Sequence, residues 1–220
     1  DPTSPSSAFP VPADALSRAA DALARQFDPQ DGGFGRAPKF PLPHLLTLLL
    51  RHYDRSEDGG ALRRVEKTLA AMAAGGMHDQ LGGGFHRYAT DDRWLIPHYE
   101  KMLPDQALLA RAYTEAWLVT GERTWADTAR ATLDYVLRDL AAPAGGFCAA
   151  EDADSLVPGA ASGAATGTET GAESGTEGKG GEPEEGAFYL WSREEIHRVL
   201  GEEISTLFFY VYGLAEEGGG

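Results

Sequence analysis

The triplet Gly-Gly-Phe occurs three times, at Gly32-Gly33-Phe34, Gly83-Gly84-Phe85 and Gly145-Gly146-Phe147, each time just after a helix-like segment. Residues 13–27 carry one apolar stripe of Leu16, Ala20, Leu23 and Phe27. Residues 61–74 carry Leu62, Val65, Leu69 and Met72, and residues 123–140 carry Trp125, Ala129, Leu133, Val136, Leu137 and Leu140. A single stripe marks a helix with one solvated face. The segments "LPHLLTLLLRHY" (42–53), "LPDQALLARAYTEAWLV" (103–119) and "ISTLFFYVYGL" (204–214) are instead apolar around most of their circumference, as in helices buried on both sides. The repeating unit is an amphipathic outer helix, a Gly-Gly-Phe loop and an apolar inner helix, with a period of roughly 50–60 residues. Every such loop leaves an outer helix and enters an inner one, so all three belong at one end of the assembly.

This alternation predicts an all-α fold, an α/α toroid whose inner helices line a funnel, with about three hairpins in residues 13–220, half of a six-hairpin ring. Helices are predicted near 13–27, 43–54, 61–74, 103–120, 123–140, 193–200 and 203–213. "FHRYA", "FCAA" and "FYLW" are strand-like but short, and are expected to form small β-ribbons on the loop face. The glycines of the triplets fit left-handed helix termini, and each Phe is expected to anchor its loop in the core.

The formal charge of −15 argues against nucleic acid and anionic membrane as partners, because the phosphate term would be repulsive. No run is long enough for a membrane span, and no signal segment is present. The lone Cys148 excludes an internal disulfide framework and any Cys-x-x-Cys pair, so a reducing, cytoplasmic setting is the expectation. Both ends read as cut. Residues 1–12 ("DPTSPSSAFPVP") resemble an interdomain linker, and the chain closes just past an apolar helix. Three hairpins cannot close a six-hairpin ring, so exposed apolar inner-helix surface is expected. Residues 157–186 are low complexity and acidic, and read as a disordered, dispensable insertion.

Residues 82–106, "GGGFHRYATDDRWLIPHYEKMLPDQ", crowd histidines, acids and a tryptophan between two helices. His78, His86 and His98 with Asp79, Asp91, Asp92 and Glu100 suggest metal ligation, but their spacing matches no metal motif and no second cysteine assists. Neither a metal nor a cofactor is expected. The triplets match no phosphate-binding pattern. Glu151, Asp152 and Asp154 offer the paired carboxylates that glycoside chemistry needs, or equally a hydrogen-bonded turn. His86 and His98 could carry protons for epimerisation or isomerisation of a sugar. Phe85, Tyr88, Trp94 and Tyr99 supply aromatic faces on which sugars can stack. Arg36, Lys39 and Lys101 could bind a substrate oxygen or neutralise a carboxylate, with Glu100 or Asp105 the natural partner of Lys101.

"GGFGRAPKFP", "MHDQLGGGFHRYATDDRW", "PHYEKML", "DQA", and "GGFCAAEDADS" followed by "EGAFYLWSREEI" closely resemble one family. It is the thioredoxin-domain-containing family that includes bacterial uncharacterised proteins and the spermatogenesis-associated thioredoxin-like proteins of animals. The resemblance runs from about Phe27 to the C-terminus, apart from the insertion. It implies a thioredoxin-like domain followed by a six-hairpin, glycosidase-like toroid, of which this chain would be the first half. The remaining toroid half and the thioredoxin-like domain would then be its partners in the full-length protein. The sequence departs from the family at Pro104, where an aromatic is usual, and in the insertion between "EDADS" and "GAFYLW".

Three readings of function follow: a carbohydrate-active toroid, foremost a sugar epimerase or isomerase; a non-catalytic scaffold for the thioredoxin-like domain; or a module that binds a sugar or peptide without chemistry. The expected site is one polar pocket at the funnel mouth. His86, Asp92, His98, Glu100, Glu151 and Asp154 would be its catalytic groups, and Arg36, Trp94 and Lys101 would hold a neutral or cationic sugar or polyol.

Overall fold

Each Gly-Gly-Phe triplet closes a small ring of backbone hydrogen bonds, one residue shorter in the third than in the first two. In the first, Asp28 N–H donates to the Gly33 carbonyl at 2.9 Å and Gly32 N–H to the Asp28 carbonyl at 3.0 Å. Asp79, Gly83 and Gly84 repeat it at 3.0 and 2.9 Å, and Ala142, Gly145 and Gly146 at 3.0 and 2.9 Å. Both glycines of every triplet have φ between 72° and 93°, a left-handed region that L side chains rarely adopt. The triplet is therefore a backbone device that turns the chain out of one helix toward the next.

The structure, a computed structural model, describes residues 12–156 and 183–214. Its helices are α1 (Ala15–Gln26), α2 (Pro43–Ser56), α3 (Gly59–Ala74), α4 (Leu103–Thr120), α5 (Arg123–Tyr135), α6 (Arg193–Leu200) and α7 (Glu202–Tyr212). A π-helical turn, Val136–Leu140, continues α5. The chain divides into two compact units, Asp1–Asp152 and Ala153–Gly220.

In the first unit, α2 packs against α1, α3 and α4, and α4 also packs against α3 and α5. The all-apolar helices are thus the shared ones, as their composition requires. Leu46, Leu49 and Leu50 of α2, Val65, Leu69 and Met72 of α3, and Leu109 and Tyr113 of α4 form one core. Each fully buried leucine or methionine contributes on the order of 1.5–3 kcal/mol. Tyr113 is buried, and its hydroxyl donates to the Leu69 carbonyl at 2.8 Å. Pro104 sits in the first turn of α4, where its missing N–H costs no hydrogen bond. Outside this core α4 leaves Leu108, Trp117, Leu118 and Val119 exposed.

Short antiparallel pairs join the loops. β1 (Tyr88–Ala89) pairs with β2 (Pro97–His98), and β3 (Lys101–Met102) pairs with β4 (Ala150–Glu151). A bridge from Lys39 to Ala89 ties the first loop to the second, and the Lys101–Glu151 register ties the second to the third. The three loops therefore lie at one end, as the alternation of helices predicted. Phe34 and Phe85 anchor their loops in the core, but Phe147 is exposed. The third triplet keeps the backbone ring without the anchor.

In the second unit, β5 (Asp154–Ser155) pairs with β6 (Glu184–Glu185). The expected insertion therefore ends earlier than 186, and its residues 157–182 lie outside the described residues, as do residues 1–11 of the expected linker. "FYLW" is not a strand. It lies in a turn whose Tyr189 and Leu190 N–H groups donate to the Gly186 carbonyl. Ser192 and Glu195 form a capping box at the start of α6. Helix α7 buries Ser205 and Phe209, while Ile204, Leu207, Tyr210 and Val211 are exposed.

Candidate functional site

The first two loops share a second device that the third lacks. Asp28 accepts the N–H groups of Gln30 and Asp31 through Oδ1, and Lys39 Nζ lies 2.7 Å from Oδ2. Asp79 does the same with Leu81, Gly82 and, at 2.8 Å, Lys101 Nζ. Each lysine also caps a carbonyl, Lys39 that of Asp92 and Lys101 that of Gly83. Each lies over an aromatic ring, Lys39 at 5.2 Å from the Trp94 centroid and Lys101 at 4.4 Å from that of Tyr135. Burial pushes the Asp28 and Asp79 carboxyls up, but the lysine and the backbone donors outweigh it, holding Asp28 down to about 2 and Asp79 below its ordinary value. The partner of Lys101 is thus Asp79 rather than Glu100 or Asp105. Ala142 stands where the third loop would need its aspartate.

These pairs remove two expected ligand contacts from solvent. Lys101 is 1% exposed and Trp94 is fully buried. The Trp94 indole N–H donates to the Asp31 carbonyl at 3.0 Å, and its ring packs where a Cβ on Gly33 would sit. Trp94 offers no face for a sugar to stack on. It is a plug held at φ 65° between the first two loops.

His98 and Glu100 do meet at the loop face. His98 Nε2 lies 3.8 Å from Glu100 Oε2, and each side chain is about a quarter exposed, at 24% and 22%. Arg87 Nη1 holds the same carboxylate oxygen at 2.7 Å. The His98 ring stacks on Tyr88 at 4.8 Å with an interplanar angle of 18°, because β1 and β2 place the two residues opposite each other. Phe40 packs on Tyr88 at 4.9 Å, itself 41% exposed, so the aromatic platform reaches solvent. Asp105, in the first turn of inner helix α4, is raised by burial and by the Glu100 charge, against the opposing pull of Arg87. Sequence reasoning missed Arg87 and Asp105 as members of this cluster. The signal available was position: Asp105 is the first acid of an inner helix.

The other expected residues separate. His86 is 3% exposed behind this face, with Nδ1 3.0 Å from the Tyr99 carbonyl, which makes that nitrogen the donor of a neutral ring. Burial, reinforced by the charge of Lys101, depresses His86 to about 4. Glu151 accepts the Tyr135 hydroxyl at 2.7 Å. Asp92 accepts the Ala37 N–H at 2.6 Å and lines a cleft with Arg36 beside the end of α1. Asp154 belongs to the second unit, where it is exposed and paired in register with Glu185. The strand alternation explains the separation: neighbours in an extended segment face opposite ways, so Glu100 reaches solvent where Lys101 is buried. Among the described residues, no group of three or more His, Cys, Asp or Glu side chains could hold a metal ion. No helix among them is long and apolar enough to cross a membrane.

The helices, the shared loop face and the short ribbons define an α/α toroid of the six-hairpin, glycosidase-like class. Solved structures with the same fold include a cellobiose 2-epimerase from Bacillus thermoamylovorans, with a TM-score of 0.56, 13% identity and coverage of 63% of this chain and 40% of that one. A sugar epimerase from a ruminal bacterium matches with a TM-score of 0.54 and 14% identity, over 62% of this chain and 40% of that one. No protein-family model matches the chain. By sequence it is similar to spermatogenesis-associated protein 20 of Mus musculus, 38% identical over 224 aligned residues, and of Homo sapiens, 36% identical over 222. These alignments take in 94% and 95% of the chain but 26% of each relative, so the chain spans about a quarter of their length.

Proposed function

We propose that the domain is carbohydrate-active and that the His98 face catalyses epimerisation or isomerisation of an aldose. The observation that carries this reading is the partly exposed His98–Glu100 pair, braced by Arg87 and flanked by the Tyr88–Phe40 platform, at the end of the fold where the inner helix α4 begins. A sugar stacks the C–H face of its chain on the exposed ring of Phe40 at the edge of this platform, and its hydroxyls meet Glu100 and Arg87. In the open-chain form, the carbon beside the carbonyl bears an acidic hydrogen. His98 takes that proton, the C–H electron pair becomes a C=C bond, and the carbonyl π pair moves to oxygen, which is protonated by Asp105. For the epimer, the enediol turns its other face to His98, which returns the proton to the same carbon while the oxygen gives its proton back to Asp105 and the C=O re-forms. For the ketose, His98 protonates the former carbonyl carbon while the hydroxyl on the adjacent carbon gives its proton to Asp105 and becomes the new C=O.

A second reading has a specific observation behind it. Glu100 already has Arg87, and His98 is already stacked, so the cluster also suits a scaffold that pins a long loop beside a thioredoxin-like domain of the full-length protein. Incubating the full-length protein with a panel of aldoses in heavy water separates the two. Enzymatic turnover places deuterium at the carbon beside the carbonyl, visible by NMR, and His98→Asn abolishes it with the melting temperature unchanged. No incorporation from any aldose, together with a large stability loss in His98→Asn and Glu100→Gln, would make the loop structural.

A further inference from the structure

A cleft of about 660 Å³ lies beside the C-terminal end of α1, within the size range of small-molecule sites. Its lining includes Arg25 of α1, Arg36 of the first loop and Arg93 at the tip of the β1–β2 hairpin, three segments that the fold brings together from distant sequence. None of His98, Glu100 or Arg87 lines it. All three arginines are exposed. Among the described residues, none of their guanidinium groups lies within ion-pair distance of a carboxylate, whereas Arg87 at the His98 face does.

The acids of this cleft are differently placed. Asp28 is neutralised by Lys39 at 2.7 Å and by two backbone donors. Asp92 holds the Ala37 N–H through Oδ1, and Asp31 is half-buried. Asp91, close enough to Arg93 to feel its charge, is taken up by the N–H groups of Arg93, Leu95 and Ile96. The lining sets Arg25, Arg36 and Arg93 against Asp28, Asp31 and Asp92, and Lys39, buried behind the cleft, neutralises Asp28, in a chain whose formal charge is −15. Three arginines that line one cleft outside ion-pair distance of a carboxylate are suited to an oxyanion, because each planar fork meets two of its oxygens at once. The carboxylates of Asp31 and Asp92 beside them accept hydrogen bonds from hydroxyls, which a bare anion does not supply.

We infer that this cleft binds a sugar carrying an oxyanion, a phosphate or a carboxylate, with Arg25, Arg36 and Arg93 on the anionic group and Asp31 and Asp92 on the hydroxyls. The site stands independently of catalysis at His98. It also changes the expected ligand class, since the sequence alone favoured a neutral or cationic polyol.

Isothermal titration of the full chain with glucose 6-phosphate, glucuronate, glucose and inorganic phosphate tests the assignment. At least one anionic sugar is expected to bind about tenfold or more tightly than glucose, with affinity falling as salt rises. Arg36→Gln and Arg93→Gln are each expected to weaken that binding by about tenfold, and the double variant to abolish it. Both side chains are exposed, so the melting temperature should hold in all three variants, and His98→Asn should bind as the parent does. Failure of both anionic sugars to bind at millimolar concentration would overturn the inference. So would glucose or free phosphate binding as tightly as the anionic sugar, or binding that survives the double arginine variant.

Discussion

Substituting Lys101 by Met tests whether the buried Asp79–Lys101 pair holds the second loop. The Lys101 side chain is 2% exposed and that of Asp79 13%, with Nζ 2.8 Å from Oδ2. Methionine keeps the length and apolar stem of lysine but leaves the Asp79 carboxylate facing an apolar group, and the Gly83 carbonyl without its 3.0 Å donor. Leu81 and Gly82 still donate to Oδ1, so the charge is not wholly abandoned. Breaking one side of a buried pair costs about 3–5 kcal/mol. For a chain of this size that corresponds to a fall in melting temperature of roughly 10 °C. Asp79→Asn should cost a similar amount, because it takes the carboxylate charge away from an ammonium that is still more deeply buried. The double variant, Asp79→Asn with Lys101→Met, should recover part of the loss, since neither partner is then left charged and alone. Urea unfolding of the four proteins at neutral pH gives the coupling directly. A loss below about 1 kcal/mol for both single variants, the range of exposed ion pairs, would refute the reasoning.

Acid should act through two groups with opposite chemistry and the same sign. His86 has its folded value lowered to about 4 from 6.5, so its contribution is complete above pH 6.5 and is lost as pH falls toward 4. In His86→Gln the slope of stability against pH over that interval should flatten; an unchanged slope would show that the ring is not kept neutral by burial. Asp28, lowered to about 2 from 3.8, adds a loss between roughly pH 4 and pH 2, which Asp28→Asn should remove from an acid titration followed by circular dichroism. Gly84→Ala would place a Cβ 2.5 Å from Tyr135 Cδ1 at a positive φ, whereas Gly146→Ala meets nothing within 4 Å. The first should cost at least about 2 kcal/mol more than the second, although both occupy the same position of the repeat, and equal losses in chemical denaturation would contradict the packing.

The three Gly-Gly-Phe triplets and the alternation of striped and all-apolar helices determined the helices, the repeat and the common end of the loops. These are local properties: a 3.6-residue period and a glycine at positive φ are written within a few turns of chain. Helix ends were legible to within two residues for the same reason, the π-helical turn counted with α5. The proximity of His98 and Glu100 was also legible, because only Tyr99 lies between them and an extended segment sets their spacing. The tertiary structure decided what each remaining polar residue meets. Lys101 finds Asp79, 22 positions earlier, rather than the acids beside it, and Trp94 turns inward to meet Asp31, 63 positions away. Arg25, Arg36 and Arg93 come from three segments and share a wall only after α1, the first loop and the β1–β2 hairpin have been brought together. Burial and long-range pairing depend on which loops lie side by side, and no local period encodes that. The sequence therefore determined the scaffold and the loop face, while packing selected which side chains are sealed within it and which remain in reach of a ligand.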